Sequence, residues 1–326
     1  MRTFVTGAAG FIGSTLVDRL LSDGHQVVGI DNLSTGDIDN LADARRVKSR
    51  EPDRFTFAKV DVQAPELAGI IAGTNPDVIF HLAAQVDLRA SVSDPLFDAR
   101  SNVLGTINIC EAARRAGVER VVYAASGGSR YGAPDVLPVG EETKVGPLSP
   151  YAVAKLAGEL YLGAYAGMYS LAPICLALSN VYGPRQNPRG EAGVIAMFGS
   201  AMLCGRPVTV FGDGSASRDY VYVDDVVDAF VRAGGAPRTV TGTFNIGTGK
   251  QATVLEVHRL IADALGDQSI PQFAAARTGE LQAIALDAAK AEEALGWTPA
   301  VALGDGIERT VQWLESALHL GDRVAR

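Results

Sequence analysis

Short apolar runs alternate, over the first half of the chain, with longer stretches whose apolar residues recur every three or four positions. The runs at 3–6, 26–30, 55–60, 78–82, 121–125 and 174–178 read as strands. They are apolar rather than alternating, as strands covered on both faces are. Residues 11–22 read as a helix with Ile12, Leu16 and Leu20 on one face, and 96–116 and 151–169 as two longer helices. This rhythm predicts an α/β fold of Rossmann type, a doubly wound parallel sheet.

The rhythm weakens after Asn180, where Gly183-Pro184, Gly205 to Pro207 and Gly212 to Gly214 punctuate the chain. A smaller, irregular α/β C-terminal substrate lobe is expected there. Residues 222–230 read as a return to the first domain. The expected division is therefore discontinuous: 1–179 with about 222–247, and about 180–221 with 248–326. The polar segment 45–54 reads as a surface loop. Trp297-Thr298-Pro299 and the spacing of Ile307, Val311 and Leu314 read as core packing of the second lobe.

Composition changes this picture little. The 326 residues are 47% hydrophobic and 20% charged, with a formal net charge of −8. That balance disfavours nonspecific nucleic-acid binding, although a few arginines suffice for an anionic small molecule. No apolar run approaches the roughly 18–20 residues of a membrane span. The apolar N-terminus is broken by glycines and followed by Asp18 and Arg19, unlike a signal peptide. Cys110, Cys175 and Cys204 lie far apart in apolar surroundings and read as buried, reduced thiols of a cytoplasmic protein. His25, His81 and His258 lack ligand spacing, and Asp224-Asp225 reads as a helix N-terminal cap, so no metal site is expected.

Two constellations carry chemistry. The first is Thr6-Gly7-Ala8-Ala9-Gly10-Phe11-Ile12-Gly13, between a strand and a helix. Gly7 permits the turn, Gly10 lets a pyrophosphate approach the backbone, and Gly13 lets helix and strand pack closely. The helix N-terminus turns free N–H groups towards the phosphates. Asp31 at the end of the second strand suits the adenosine ribose hydroxyls and repels a 2′-phosphate, favouring NAD over NADP. The second is Tyr151-Ala-Val-Ala-Lys155, whose spacing places both side chains on one helix face. A nearby ammonium and a positive nicotinamide ring favour the phenolate, which can take an alcohol proton as hydride leaves.

With these residues the chain resembles the extended short-chain dehydrogenase/reductase family and, within it, the nucleotide-sugar 4-epimerases. The likeness runs nearly end to end. It adds Asp31-Asn32-Leu33-Ser34-Thr35-Gly36, Asp61-Val62, His81-Leu82-Ala83-Ala84-Gln85, Asn102-Val103-Leu104-Gly105-Thr106, Asn180-Val181-Tyr182-Gly183-Pro184-Arg185, Arg218 to Asp225, and Asn245-Ile246-Gly247. The resemblance implies that the Asp31 to Gly36 segment, Asp61 and Val62 hold the adenosine. It implies that Leu82, Ala83, Ala84 and Gln85 line the cofactor, that Asn102 holds the loop by the ribose, and that Lys155 bonds the nicotinamide ribose. Gln85, Val194, Asn180, Arg218, Arg277 and Glu280 match positions that hold the UDP-sugar. Arg218 and Arg277 also suit a diphosphate clamp. Ile284 is placed beside the sugar, and a homodimer is implied through the helices at 96–116 and 151–169.

One departure matters. Where the family usually has Ser or Thr, four residues before Tyr131, this chain has Gly127, flanked in Ser126-Gly127-Gly128-Ser129. Either serine can bond the reacting sugar oxygen, and Ser126, directly after the strand, is favoured. Related dehydratases and decarboxylases carry acids here, and Gly127-Gly128-Ser129 supplies none. The resemblance therefore implies an epimerase that interconverts UDP-glucose and UDP-galactose through a 4-keto sugar, passing hydride to bound NAD and back. The alternatives are a 4-epimerase of a uronic or N-acetylated UDP-sugar, a nucleotide-sugar reductase and a non-catalytic NAD sensor. Intact Tyr151 and Lys155 speak against the last.

Overall fold

The computed structural model describes residues 1–188, 193–276 and 281–324. Seven strands form one parallel sheet: β1 (Arg2–Thr6), β2 (Gln26–Asp31), β3 (Phe55–Lys59), β4 (Val78–His81), β5 (Arg120–Ser126), β6 (Ala172–Leu178) and β7 (Gly242–Ile246). Their spatial order is β7-β6-β5-β4-β1-β2-β3. The order reverses at β1, which pairs with β2 on one side and β4 on the other. Sheets of this kind usually take their ligand at that reversal, beyond the carboxyl ends of the strands.

Every predicted strand forms, with ends displaced by no more than two residues. Helix α1 (Phe11–Ser22) follows β1, and its buried residues include Leu16 and Leu20. The helix expected at 96–116 forms in three pieces: Pro95–Ala99, a wider π turn at Arg100–Leu104, and α2 (Gly105–Ala116). Helix α3 (Pro150–Met168) carries the Tyr–Lys pair and is capped by Ser149, whose side chain accepts the Ala152 N–H. Helix α4 (Val223–Gly235) packs against α1.

Three small sheets lie beyond β6. Asn180–Tyr182 pairs with Tyr220–Tyr222, Ser217–Arg218 with Ala252–Thr253 and Ala283–Ile284, and Thr209–Phe211 with Gln272–Ala274. One apolar cluster runs from Val5 and Leu16 through Phe230 to Trp297, Ile307 and Val311. The expected packing of Trp297, Ile307, Val311 and Leu314 is realised, since all four are buried. No described helix is long and apolar enough to cross a membrane.

Three expectations are corrected. The segment 45–54 is not simply a loop, because Ala42–Arg50 is helical. Leu41, Ala44 and Val47, three apart, give it an apolar face against the core. Asp224 and Asp225 do not cap α4: the N-cap is Tyr222, without a side-chain cap bond, and both acids lie in the first turn. There they face the positive end of the helix dipole, and Asp225 Oδ2 accepts the Val301 N–H. Cys110 and Cys175 are buried as expected, but Cys204 is exposed at the end of the helix Val194–Leu203.

Candidate active site

The glycine turn directly follows β1, the strand at which the sheet order reverses. Gly7 has φ +70°, and a Cβ there would lie 2.8 Å from the Ala83 nitrogen. A Cβ on Gly13 would fall on the Gly7 carbonyl, and one on Gly10 would come within 3.2 Å of the same oxygen. Only hydrogen lets this turn close against the helix and the neighbouring strand. Gly10 is the N-cap of α1 without a side-chain cap, so the first-turn N–H groups are available to a ligand. The cradle fits a dinucleotide pyrophosphate.

Asp31 ends β2 beside this turn and is 8% exposed. Its two oxygens accept the N–H groups of Ala9 and Leu33 at 3.0 and 2.8 Å. The carboxylate is therefore fixed in place with lone pairs to spare. Gly36 lies against it, since a Cβ there would be 2.9 Å from Asp31 Oδ2. Asn32 donates to Asp61 at 2.7 Å, and its oxygen accepts the Ser34 N–H, which ties the turn after β2 to Asp61. Val62 is buried, while Ser34 and Thr35 are exposed. Phe11 and Ile12 are partly buried at the helix start.

The loop after β4 is held from beneath. Thr6 Oγ1 accepts the N–H groups of Leu82 and Ala83, both at 3.1 Å, and lies 2.8 Å from His81 Nδ1. His81 Nε2 lies 3.1 Å from Thr106 Oγ1, which donates to the Asn102 carbonyl. With that hydroxyl proton committed, Nε2 is the donor, and Thr6 donates to Nδ1. The imidazole is thus neutral, and burial depresses its pKa to about 3, helped by the Lys155 charge. Asn102 faces Gln85 from the π turn, accepting its N–H at 2.8 Å and donating to its carbonyl at 2.9 Å. Such wide turns often mark functional positions. Ala84 is partly buried in the same loop.

At the end of β5, Ser129 Oγ donates to Ser126 Oγ at 2.8 Å. Ser126 in turn hydrogen-bonds the Tyr151 hydroxyl. Sequence left the two serines as alternatives; the structure places them in series, with Ser126 at the tyrosine. Gly127 is a packing requirement. A Cβ there would strike Leu286 and lie 2.8 Å from the Ala177 carbonyl. That contact explains the missing Ser or Thr.

Lys155 is buried one turn behind Tyr151. Its ammonium donates to the Ala124 carbonyl at 2.8 Å and lies 4.7 Å from the centre of the Tyr123 ring. Burial lowers its pKa to about 8, against the opposing pull of Asp98 and Glu159. Burial pushes Tyr151 up to about 12, the Ser126 bond pulls it down, and the Asp98 charge adds to the rise. The Lys155 ammonium thus rests on the Ala124 carbonyl and over the Tyr123 ring.

Sequence reasoning missed the ion pair beneath this cluster. Arg130, next to Ser129, pairs with Glu159, one turn after Lys155, and Thr243 Oγ1 donates to the same carboxylate at 2.9 Å. The pair ties the serine turn to the tyrosine helix. Its signal was the Lys155/Glu159 spacing of four.

Beyond β6, the Asn180 oxygen would lie 3.7 Å from a Cβ on Gly128, which brings Asn180 to the serine turn. Arg218 donates to the Ser217 carbonyl, in a strand paired with Ala283–Ile284. Its neighbour Asp219 is fully buried and accepts N–H groups from Thr248, Gly249 and Leu286. Ile284 is buried with Tyr131, Val139 and Leu286. Val194 opens the helix Val194–Leu203, partly buried. Arg277 and Glu280 lie outside the described residues. No cluster of metal-ligating side chains occurs among the described residues.

A glycine turn at a sheet's point of reversal and a Tyr–Lys pair over the next strands define a Rossmann enzyme of the extended short-chain dehydrogenase/reductase class. The chain belongs to the NAD dependent epimerase/dehydratase family, whose sequence profile matches residues 3–247. It is 53% identical to the UDP-glucose 4-epimerase of Mycolicibacterium smegmatis over 316 residues, 97% of this chain and 99% of the relative. Among solved structures it is similar to the UDP-glucose 4-epimerase of Thermotoga maritima with UDP-glucose, at TM-score 0.92 and 39% identity, covering 98% of this chain and 100% of that one. It is also similar to the Thermus thermophilus UDP-glucose 4-epimerase in complex with NAD, at TM-score 0.88 and 40% identity, covering 97% and 100%.

Proposed function

We propose that this chain is an NAD-dependent 4-epimerase that interconverts UDP-glucose and UDP-galactose. The observation that carries the reading is the line of hydroxyls from Ser129 through Ser126 to Tyr151, with no acid in the turn. Identity of 53% to a UDP-glucose 4-epimerase over nearly the whole chain supports the choice of sugar.

The Tyr151 oxygen takes the proton of the sugar C4 hydroxyl, while Ser126 bonds the same sugar oxygen and orients it. NAD in this cradle supplies the acceptor and then the donor of the C4 hydride, and its positive ring favours the phenolate. The resulting 4-keto sugar turns while its diphosphate stays held, and Tyr151 returns the proton to the new alcohol. Lys155 positions the nicotinamide ribose. Asn180, Val194, Arg218, Arg277 and Glu280 hold the UDP-sugar, with the two arginines on the diphosphate. An acid at the turn would favour elimination, and Gly127-Gly128-Ser129 offers none.

The reading extends to the division into 1–179 with about 222–247 and about 180–221 with 248–326. It also extends to a homodimer through the Pro95–Ala116 segment and α3. Leu96, Leu104, Val153 and Leu160 stand exposed along these helices, which supports a partner of the same kind. The free, unbridged cysteines suit the cytoplasm.

The test incubates purified protein with UDP-glucose or UDP-galactose, without added cofactor, and follows interconversion by NMR. Interconversion of both is expected. Turnover of another UDP-sugar alone would move the specificity, and net consumption of reduced cofactor would replace epimerisation with reduction.

A further inference from the structure

Arg130 and Glu159 have no part in the chemistry described so far. Arg130 ends the short helix Gly127–Arg130, which contains Ser129 and packs against α3. Glu159 lies on α3, two turns after Tyr151. Their side chains, 13% and 6% exposed, form an ion pair. Thr243 on β7 donates to the same Glu159 oxygen, Oε2, at 2.9 Å. The Arg130 Nε is buried with no acceptor.

Such a pair is a poor source of stability. Two charges are taken out of water, and the stranded Nε adds to the cost, where a well-packed apolar pair would incur neither. What a buried pair can supply instead is a single arrangement of the elements that carry it.

Three elements meet at this one carboxylate. The serine turn arrives through Arg130, α3 carries Glu159 itself, and β7 contributes Thr243. The next residue of the turn is held to the same strand, since Tyr131 Oη donates to Asn245 Oδ1 at 2.7 Å. Thr243 and Asn245, two apart on β7, lie on one face. The Arg130 guanidinium lies 5.5 Å from the centre of the Tyr131 ring. Ser129, which donates to Ser126, immediately precedes Arg130. Glu159 follows Tyr151 by about 12 Å along the helix axis. The pair therefore acts on the reacting hydroxyls through the elements that carry them.

We propose that Arg130 and Glu159 form a positioning pair of the reaction: their buried ion pair, braced on β7 through Thr243, sets the serine turn against α3 and so keeps Ser126 at the Tyr151 hydroxyl. The inference rests on the reading of Ser126 and Tyr151 as the working hydroxyls.

The test separates geometry from stability. Removing one partner strands a charge, so both are replaced together, as Arg130→Met with Glu159→Leu. Steady-state kinetics with UDP-galactose, NAD affinity and thermal unfolding are compared with the native chain. Melting is expected to be near native. KM and NAD affinity are expected within about twofold, and kcat lower by about tenfold or more, the scale of a small misplacement of reacting groups. Native kcat in a variant that melts like the native protein overturns the proposal, as does a loss carried by KM alone. If the double variant does not fold, Glu159→Asp is measured, which keeps the charge and shortens its reach by one carbon, with the same outcomes. Amide hydrogen exchange gives a reading without turnover: residues 127–131 are expected to exchange faster in the variant, with β4 unchanged. A native chain without epimerase turnover would sink the function proposed above, and exchange would then decide, since an unchanged rate at 127–131 overturns the role of the pair.

Discussion

Ser129 donates to Ser126 at 2.8 Å, and Ser126 meets the Tyr151 hydroxyl, so the two serines occupy unequal places in one line. Ser126→Ala removes the hydroxyl that touches the tyrosine and is expected to lower kcat by about 100-fold, the scale of a positioned proton-transfer group. Ser129→Ala removes only its support and is expected to cost less than about tenfold. Steady-state rates with UDP-galactose check both. Equal losses would put the serines in parallel rather than in series.

Asp31 is held by two backbone N–H groups and has Gly36 against one oxygen. A 2′-phosphate placed there meets a fixed negative charge and little space. NADP is expected to bind at least about tenfold more weakly than NAD. Asp31→Asn is expected to narrow that gap mainly by weakening NAD. Calorimetric titration of both dinucleotides measures it, and equal affinities in the native chain would contradict the role.

His81 gives stability a pH dependence. Its folded pKa of about 3 lies below its ordinary value of 6.5, so the unfolded chain binds more protons between those limits. Stability therefore falls as the pH drops through that window, and is retained above it. The cost is about 3 kcal/mol by pH 4. Urea unfolding at pH 7 and pH 4 is expected to show a smaller difference in His81→Asn, which does not titrate. An unchanged difference would mean that other groups govern acid unfolding.

Arg120 is 5% exposed and donates to four carbonyls, those of Ala172, Ala236, Pro237 and Val240. It joins the start of β5 to the chain leaving α4. Arg120→Met is expected to destabilise the protein by about 3 kcal/mol, since buried acceptors lose their donors. Kinetic constants of the folded variant should be near native, because the residue lies at the amino end of the strand, away from the site. Thermal unfolding and steady-state kinetics separate the two effects.

Much of the fold was legible because local pattern and tertiary role agree. α1 forms at the predicted residues, as glycine spacing sets its start and Leu16 and Leu20 set its buried face. Tyr151 and Lys155 were legible for the same reason. The helix Ala42–Arg50 was missed because its charges outnumber the apolar residues that seat it. Ser126 was favoured in sequence by its place directly after the strand, but its arrangement in series with Ser129 required the turn's geometry. Arg130 and the Thr6–His81–Thr106 chain were illegible because each acts through a partner distant in sequence. Charge in a sequence looks like surface until the fold supplies its counterpart.

The two glycines of the serine turn have different surroundings. Position 127 is walled by Leu286 and a β6 carbonyl, while position 128 faces only the Asn180 oxygen, at 3.7 Å from a Cβ. For a protein engineer, the first is closed and the second is open. Redesign towards dehydration would place its acid at Gly128, for example as Gly128→Asp, and leave Gly127 alone. The same asymmetry predicts which position tolerates variation in a mutational library: 128 accepts side chains and 127 rejects them.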